Sequence, residues 1–195
     1  MVYILENTHP GEKVTRAVQS AGNLVQAFIG APVVIDAADL GVAAYKVRLF
    51  WSNMMQPELL QAALPKLLIP FPPLCSILKA HHIPTRPGHS DRPPFATQNQ
   101  LGGARLCMPT VVSYLGSRTF KPKENGNPGE GEAFNTEGNL WEETDAEEKE
   151  QLMGYTPGDT AAVGVSETDR ATRRGRALEG NTMRWLGANL HASQA

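Results

Sequence analysis

Cysteine is scarce in this chain. Only Cys75 and Cys107 occur among 195 residues. Two cysteines cannot build the multiple disulfides of small secreted domains, and they do not have the paired spacing of a structural zinc site. We therefore expect a reducing compartment, and we interpret both residues as small packed or loop cysteines.

Long hydrophobic runs are also lacking. The segment Leu59 to Leu78 comes closest, but prolines interrupt it at Pro65, Pro70, Pro72 and Pro73. A membrane-spanning helix needs about 20 consecutive apolar residues. Met1 leads directly into a Val-Tyr-Ile-Leu-Glu run without preceding basic residues, so no secretory signal is expected either. These absences predict a soluble intracellular protein.

The chain has no large excess of charge of either sign. Charged residues make up 19% of the sequence and the net charge is −2. A strongly basic balance would indicate a nucleic-acid partner, so any DNA contact here must come from local basic patches. Glycine and proline together account for 33 of 195 residues, which predicts many loops. The length suits one domain with a sizeable core.

The first fifty residues have α/β character. Short β-branched runs predict strands at Val2 to Leu5, Val33 to Ile35 and Val47 to Trp51. Apolar residues three to four apart predict a helix from Glu12 to Ile29, capped by Gly30. A strand that begins at Val2, without any lead-in, suggests that preceding sequence is missing or lies on another chain.

The remainder is more irregular. Prolines and histidines between about Asn53 and Arg105 predict a loop-rich insertion, and Lys121 to Gly138 is typical of a polar loop. A strand is predicted at Val111 to Tyr114.

Helices return towards the C-terminus. Thr144 and Glu147 form a capping-box pattern that begins a helix ending near Met153 and Gly154. A weaker helix start is predicted at Ser166 to Asp169. Gly180 is expected to interrupt that helix, and Met183 to Leu190 is predicted to be a last helical piece.

Three polar segments are candidates for a site. Glu6 lies at the end of the first strand, where α/β folds bind ligands; the alternative is a solvated acid. Lys46 and Arg48 alternate with an apolar residue and so share one strand face, where Glu6 or a nucleotide could pair with them. The alternative is an edge strand with a charged outer face.

The third segment surrounds Gly180. A glycine there would let the backbone approach a ligand closely, and Asn181 and Thr182 could bond to that ligand. The alternative is a plain helix break.

Taken together and in order, these segments resemble the DNA cytosine-5 methyltransferase family over nearly the whole chain. Glu6-Asn7-Thr8 resembles its Glu-Asn-Val motif, and the stretch from Lys46 to Trp51 resembles the Arg-x-Arg-Tyr-Phe-Trp motif of the eukaryotic de novo class. Three later segments resemble the closing motifs: Met108 to Arg118, Leu140-Trp141 with Glu150 to Tyr155, and Gly180-Asn181-Thr182. A retroelement-associated branch of the family is also suggested.

The resemblance implies a fold and a function. The fold would be a partial Rossmann-like methyltransferase sheet in residues 1–52. A loop-rich target-recognition region would follow in 53–106, and a closing segment in 107–195. The activity would be methyl transfer from S-adenosylmethionine to C5 of cytosine in DNA. In the family, a cysteine attacks C6 of a flipped-out cytosine.

The resemblance also implies residue roles. Glu6 would bond to N3 of the cytosine, and Arg48 would bind O2 and orient Glu6. Asn7 and Lys46 are assigned to substrate binding, and Asn181 and Thr182 to the cofactor. Arg86 and Arg92, with His89, would contact DNA from the recognition loops; the alternative is that these are solvated loop charges.

Departures from the family pattern bear on activity. The family nucleophile directly follows a proline and precedes the Glu-Asn-Val motif, which neither cysteine does here. The glycine-rich cofactor motif is absent, and Lys46 in place of arginine loses bidentate bonding. The chain alone is therefore not expected to methylate DNA.

Several interpretations of this pattern remain open. The chain could be a degenerate or truncated copy, one half of a split enzyme with a partner chain, or a gene-model fragment. A non-catalytic DNA-binding or partner-binding module is the alternative function, and an unrelated α/β domain is a third possibility. A partial sheet should expose apolar surface where the absent half would pack, and the family implies a nuclear location.

Overall fold

The computed structural model describes residues 3–9, 15–53, 56–64, 69–70, 72–84, 95–99, 101, 103–108, 133–170 and 178–192. The N-terminal elements are β1 (Ile4–Thr8), α1 (Arg16–Ile29), β2 (Val33–Asp36) and β3 (Val47–Ser52). The central elements are α2 (Pro57–Ala63), α3 (Leu74–Ile77), β4 (His82–Ile83), β5 (Phe95–Gln98) and β6 (Ala104–Cys107). The C-terminal elements are β7 (Ala133–Asn135), β8 (Leu140–Glu142), α4 (Ala146–Leu152) and α5 (Gly180–Ala192).

The central sheet has the strand order β1-β3-β2, with β3 antiparallel to both neighbours. Strands β1 and β2 therefore run parallel, and α1 connects them, so the later strand β3 is inserted between the two strands of a β-α-β unit. The predicted α/β organisation of the first fifty residues is confirmed. The other sheets of the described residues are small and antiparallel: the hairpin β5–β6 and the sheet β4-β7-β8.

Helix α1 ends at Ile29 as its sequence predicts, but it begins at Arg16, later than the predicted start at Glu12, because Thr15 is extended and caps the helix. The Thr15 hydroxyl oxygen accepts a hydrogen bond from the Val18 N–H, and Gly30 ends the helix at φ 88° with its N–H donated to Gln26. A positive φ of this size favours glycine. The predicted first turn at 12–14 lies outside the described residues. No side chain of α1 is buried, and Phe28 is 85% exposed.

Two apolar clusters form the core. The first packs one face of the central sheet against α2 and α5, through residues Val33, Ile35, Leu40, Phe50, Leu60, Leu64, Trp185 and Leu186. The second packs the segment after β2 against α3, α4 and Met108, through residues that include Val42, Ala44, Ile77, Leu152 and Met153. Residues from all three predicted regions of the chain therefore share these clusters.

The predicted loop regions contain more regular structure than expected. Residues 53–105 include α2, α3, β4 and both strands of the β5–β6 hairpin, because backbone pairing satisfies segments whose side-chain pattern is irregular. Strand β7 lies inside the predicted polar loop 121–138. A turn with Asn139 at φ 51° reverses the chain into β8. The strand predicted at 111–114 lies outside the described residues.

The capping box of α4 is one residue later than predicted. Asp145, rather than Thr144, caps the helix: its carboxylate accepts from the Glu148 N–H at 2.8 Å. Glu148 in turn accepts from the Asp145 N–H at 2.9 Å. Both Thr144 with Glu147 and Asp145 with Glu148 have the spacing of a capping box. Because Thr144 is buried, the structure uses the later pair. The end of the helix before Gly154 is confirmed.

Gly180 begins a helix instead of interrupting one. Its N–H donates to the Met153 carbonyl at 3.0 Å, and a Cβ at this position would lie 2.8 Å from the Gly154 oxygen. Only a glycine permits this approach, which brings the start of α5 against the end of α4. Within the described part of the chain, no helix combines the length and the apolar character that crossing a membrane requires.

Candidate functional site

The central feature of the candidate site is an ion pair between neighbouring strands. Arg48 Nε lies 2.7 Å from Glu6 Oε1, with 14% and 29% of the two side chains exposed. Arg48 also donates to the Val47 carbonyl at 3.0 Å. Among the described residues, Glu6 Oε2 and Arg48 Nη2 make no further polar contact. The pair therefore offers an acceptor and a donor side by side.

Strand alternation places the pair on one face of the sheet. Glu6 is opposite Phe50 and Arg48 is opposite Thr8, so all four side chains share the face that α5 covers further along the sheet. Asn7 lies on the other face, where its carboxamide oxygen accepts from the Thr8 N–H at 2.8 Å. The structure thus brings Glu6 and Arg48 together and separates Asn7 from them. The substrate role of Asn7 stays a prediction.

Lys46 is buried and forms an ion pair of its own. Its ammonium lies 2.8 Å from Glu179 Oε1, and the exposed fractions of the two side chains are 2% and 0%. Losing one partner of such a buried pair strands a charge in a low dielectric. A contact between Lys46 and a substrate would first require it to leave Glu179. The sequence carries no local signal for Glu179, because the two residues meet only through the packing of α5.

The two predicted cofactor residues lie in the first turn of α5. The Asn181 amide donates to the Leu40 carbonyl at 2.9 Å, and its oxygen accepts from Arg184 at 2.7 Å. Thr182 is fully buried, and its hydroxyl has no hydrogen-bond partner among the described residues. Asn181 is therefore engaged with protein groups, and Thr182 faces no open space.

This arrangement does not fit S-adenosylmethionine. A cofactor needs a cleft with accessible donors, whereas Asn181 is already bonded and Thr182 is closed off by packing. We therefore derive no chemical step through the cofactor from these residues. The predicted DNA contacts Arg86 and Arg92, together with His89, lie outside the described residues.

A polar cleft on the β2 side is not indicated by any pattern in the sequence. Its volume is about 470 Å³, and it is lined by Val34, Asp36, Asp39, Tyr45, Val47, Gln61 and Asn99. Arg105, from the β5–β6 hairpin, pairs with both aspartates. Burial raises the pKa of Asp36, and the nearby guanidinium offsets this effect only in part. Both aspartates that line the cleft are therefore already paired with one guanidinium.

A buried histidine cluster also escaped prediction. His82 lies between two carboxylates: Nδ1 is 2.7 Å from Glu148 and Nε2 is 3.0 Å from Glu142. Burial acts to lower the pKa of His82, but the two hydrogen bonds outweigh it and the pKa is raised. The only signal in the sequence is the adjacent pair His81-His82, whose rings meet edge to face at 4.5 Å.

Glu150 anchors the turn after α4. Its carboxylate accepts from the Gly158 N–H at 2.5 Å, from the N–H and hydroxyl of Thr160, and from Arg170 at 3.1 Å. Burial acts to raise the pKa of Glu150, but these donors outweigh it and lower the pKa. The prediction of small packed or loop cysteines is confirmed for Cys107, which is buried, but not for Cys75, which is exposed on helix α3.

Comparison with known proteins supports the fold but no function. No protein-family profile and no curated protein sequence matches the chain. Among solved structures, the chain is similar to a crystal structure of the S. pombe Dnmt2 methyltransferase. The TM-score is 0.53 at 11% identity, over 97% of this chain and 66% of the other. The chain therefore has a mixed α/β fold similar to that of a methyltransferase and spans about two thirds of that protein's length.

Proposed function

We propose that this chain is the cytosine-recognition part of a DNA cytosine-5 methyltransferase with a Rossmann-like sheet, and that a second polypeptide completes the enzyme. The observation that carries the proposal is the Glu6–Arg48 ion pair on adjacent strands. The family motifs place a carboxylate and a guanidinium on two strands that are far apart in sequence. Folding brings them within 2.7 Å.

The chemistry of the pair suits a cytosine ring. Glu6 Oε2 can accept a hydrogen bond from a protonated N3 of the base. Arg48 Nη2 can donate a hydrogen bond to O2. These two atoms are neighbours on one edge of the base. A carboxyl that delivers or holds a proton at N3 draws electron density from the ring, and Arg48 stabilises charge on O2. Both effects promote nucleophilic attack at C6.

What this sequence lacks supports the proposal that a second polypeptide completes the enzyme. Neither cysteine stands in the family's nucleophile position, and the first turn of α5 is closed to a cofactor. The partner would supply the cysteine and the main S-adenosylmethionine segment; the cofactor provides the methyl group when bound. On the same proposal, Asn7, Arg86 and Arg92 contact the nucleic acid, and Lys46 does so only after it leaves its buried partner Glu179. The assembly would act in the nucleus.

The surface that such a partner would cover is present. Strand β1 is an edge of the central sheet, and all five of its residues are exposed. Helix α1, which follows β1 in the chain, exposes Leu24, Val25 and Phe28. An open strand edge is suited to accept further strands of a sheet, and exposed apolar side chains are suited to be buried by a partner.

The test is methyl transfer in trans. The chain is mixed with the N-terminal half of a related cytosine-5 methyltransferase, and transfer from labelled S-adenosylmethionine to DNA is measured. We expect activity only in the mixture and a loss of at least about 100-fold with Glu6→Gln or Arg48→Ala. Glu137→Gln, in the exposed β7–β8 turn, is the matched control and should leave the rate unchanged. Activity of the chain alone would contradict the proposal.

The second candidate function is a non-catalytic DNA-binding module. The closed first turn of α5 favours it, because a chain that binds no cofactor itself can still contact DNA. This alternative predicts DNA binding by the chain alone and no methyl transfer in the mixture. Filter-binding or fluorescence anisotropy with and without S-adenosylmethionine separates the two candidates.

A further inference from the structure

We propose that His81, His82 and Glu142 form a binding site for a divalent metal ion of the zinc class. One ligand atom from each of the three side chains lies within 4.8 Å of the other two. Two imidazoles and a carboxylate are a common ligand set for zinc. The proposal concerns the β4-β7-β8 sheet and is independent of the proposed methyltransferase function.

The spacing of the ligand atoms is close to that of a metal site. Bond lengths near 2.0–2.2 Å and tetrahedral angles put neighbouring ligand atoms roughly 3.3 Å apart. His82 Nε2 and Glu142 Oε2 are already 3.0 Å apart. The His81 ring therefore needs to move by no more than about 1.5 Å to complete the set. Its side chain makes no polar contact among the described residues, so it is able to rotate.

The orientation of His82 is fixed by an outer carboxylate. Glu148 accepts hydrogen bonds from the Lys79 N–H at 2.9 Å and the Asp145 N–H at 2.9 Å. It therefore acts as an acceptor towards His82 Nδ1 at 2.7 Å as well, and Nδ1 carries a proton. This leaves Nε2 directed at Glu142. A histidine that ligates through one nitrogen and donates from the other to a carboxylate is the usual arrangement around protein-bound metals.

Glu142 is oriented in the same way. Asn135 donates to its Oε1 at 3.1 Å and leaves Oε2 facing His82. The Glu142 side chain is 35% exposed, whereas that of His82 is 4% exposed, so an ion between them would reach solvent on one side. Three protein ligands and one open position filled by water would result. The ion would hold β8 against β4 and, through Glu148, against α4.

The experiment uses the full chain after removal of metals with a chelator. Zn²⁺ is titrated by calorimetry at neutral pH. Co²⁺ is then used as a spectroscopic probe, because its visible spectrum distinguishes nitrogen and oxygen ligands from a cysteine thiolate. We expect one ion per chain, no thiolate charge-transfer band, and a rise in Tm with added Zn²⁺.

Three variants distinguish a site built from these ligands from zinc binding elsewhere on the chain. His81→Ala removes one ligand and leaves the Glu148–His82–Glu142 contacts, so it should weaken Zn²⁺ binding at least tenfold without changing the Tm of the metal-free chain. Glu142→Gln should weaken binding similarly. His9→Ala, at an exposed histidine outside the cluster, is the matched control. Equal affinity in all three variants, a thiolate band, or no stoichiometric binding would overturn the proposal. The contacts of His82 with Glu142 and Glu148 would then be a hydrogen-bonded cluster without a metal ion.

Discussion

The two edges of the central sheet are built differently. On the β2 edge, the Gln61 side chain from α2 accepts from the Val34 N–H at 2.9 Å and donates to the Val34 carbonyl at 3.3 Å, as a neighbouring strand would. On the β1 edge, the described residues show one such bond, from the Thr8 N–H to the Asn7 carboxamide oxygen at 2.8 Å, and α1 has no buried residue. Within the described residues, an α2 side chain covers the β2 edge and no other element covers the β1 edge, where the proposed partner would join.

The largest expected contrast compares two phenylalanines. Phe50 is fully buried in β3, and Phe28 is 85% exposed on α1. Phe50→Ala should lower the free energy of unfolding by about 3–5 kcal/mol, because it leaves a cavity in the core. Phe28→Ala should change it by less than about 0.5 kcal/mol. Urea denaturation measures both values, and similar losses would show that α1 is packed in the isolated chain.

A second expectation concerns Glu150, the buried carboxylate in α4 that Thr160 and Arg170 contact. Glu150→Gln should lower the free energy of unfolding by about 1.5–3 kcal/mol at neutral pH, because it weakens the charge-assisted hydrogen bonds from Thr160 and Arg170. The pKa of Glu150 is lowered in the folded protein. The stabilisation by the ionised Glu150 is therefore fully present above the pKa of the unfolded state, near 4.5. It is lost as the pH falls through the lower pKa of the folded state.

Unfolding measured from neutral to acidic pH tests this sign. The difference in stability between the wild-type chain and Glu150→Gln should narrow as the pH falls below 4.5. A difference that stays constant with pH would mean that packing, and not the charge, accounts for the effect of the substitution.

The third expectation tests the closed edge directly. Gln61→Ala should lower the free energy of unfolding by about 1 kcal/mol, because it leaves the Val34 N–H and carbonyl without their partner. Gln56→Ala is the matched control. It lies just before α2, is exposed and forms no capping bond. Equal effects of the two substitutions would assign the loss to α2 itself and not to the strand edge.

The smallest effect on stability is expected at the open edge. Leu24→Lys on α1 and Leu59→Lys on α2 change side chains that are 61% and 64% exposed. Each substitution should change the free energy of unfolding by less than about 0.5 kcal/mol. Only Leu24→Lys should reduce hydrophobic-dye binding and complementation by an N-terminal methyltransferase half. If both do so equally, the exposed surface near α1 has no special role.

The sequence predicts local features of this protein well. Strands β2 and β3, helix α1 and the end of α4 follow from the spacing of apolar residues and from Gly30 and Gly154, which act within a few residues. The capping box lies one position later than predicted because Thr144 and Asp145 each have a glutamate three residues later. Only the packing of Thr144 decides between them.

Contacts between distant segments could not be predicted from local patterns. The strand pattern suggests Glu6 only as one possible partner of Arg48, and motif order supports it, because the pairing of β1 with β3 is a property of the whole sheet. The strand pattern predicts that Lys46 faces Glu6 or a nucleotide, whereas its buried partner is Glu179 on a segment near the other end of the chain. The His82 cluster likewise needs β4, β8 and α4 together. No single segment contains its pattern.

The bond from Asn181 to the Leu40 carbonyl joins residues 141 positions apart. A ribosome makes the central sheet long before it makes α5, and Trp185 and Leu186 of that helix complete the first apolar cluster. One face of the sheet therefore stays exposed until α5 has been synthesised. Contacts between residues so far apart in sequence also form slowly. We therefore expect the nascent chain to expose apolar surface, of the kind that chaperones bind, until α5 has been made.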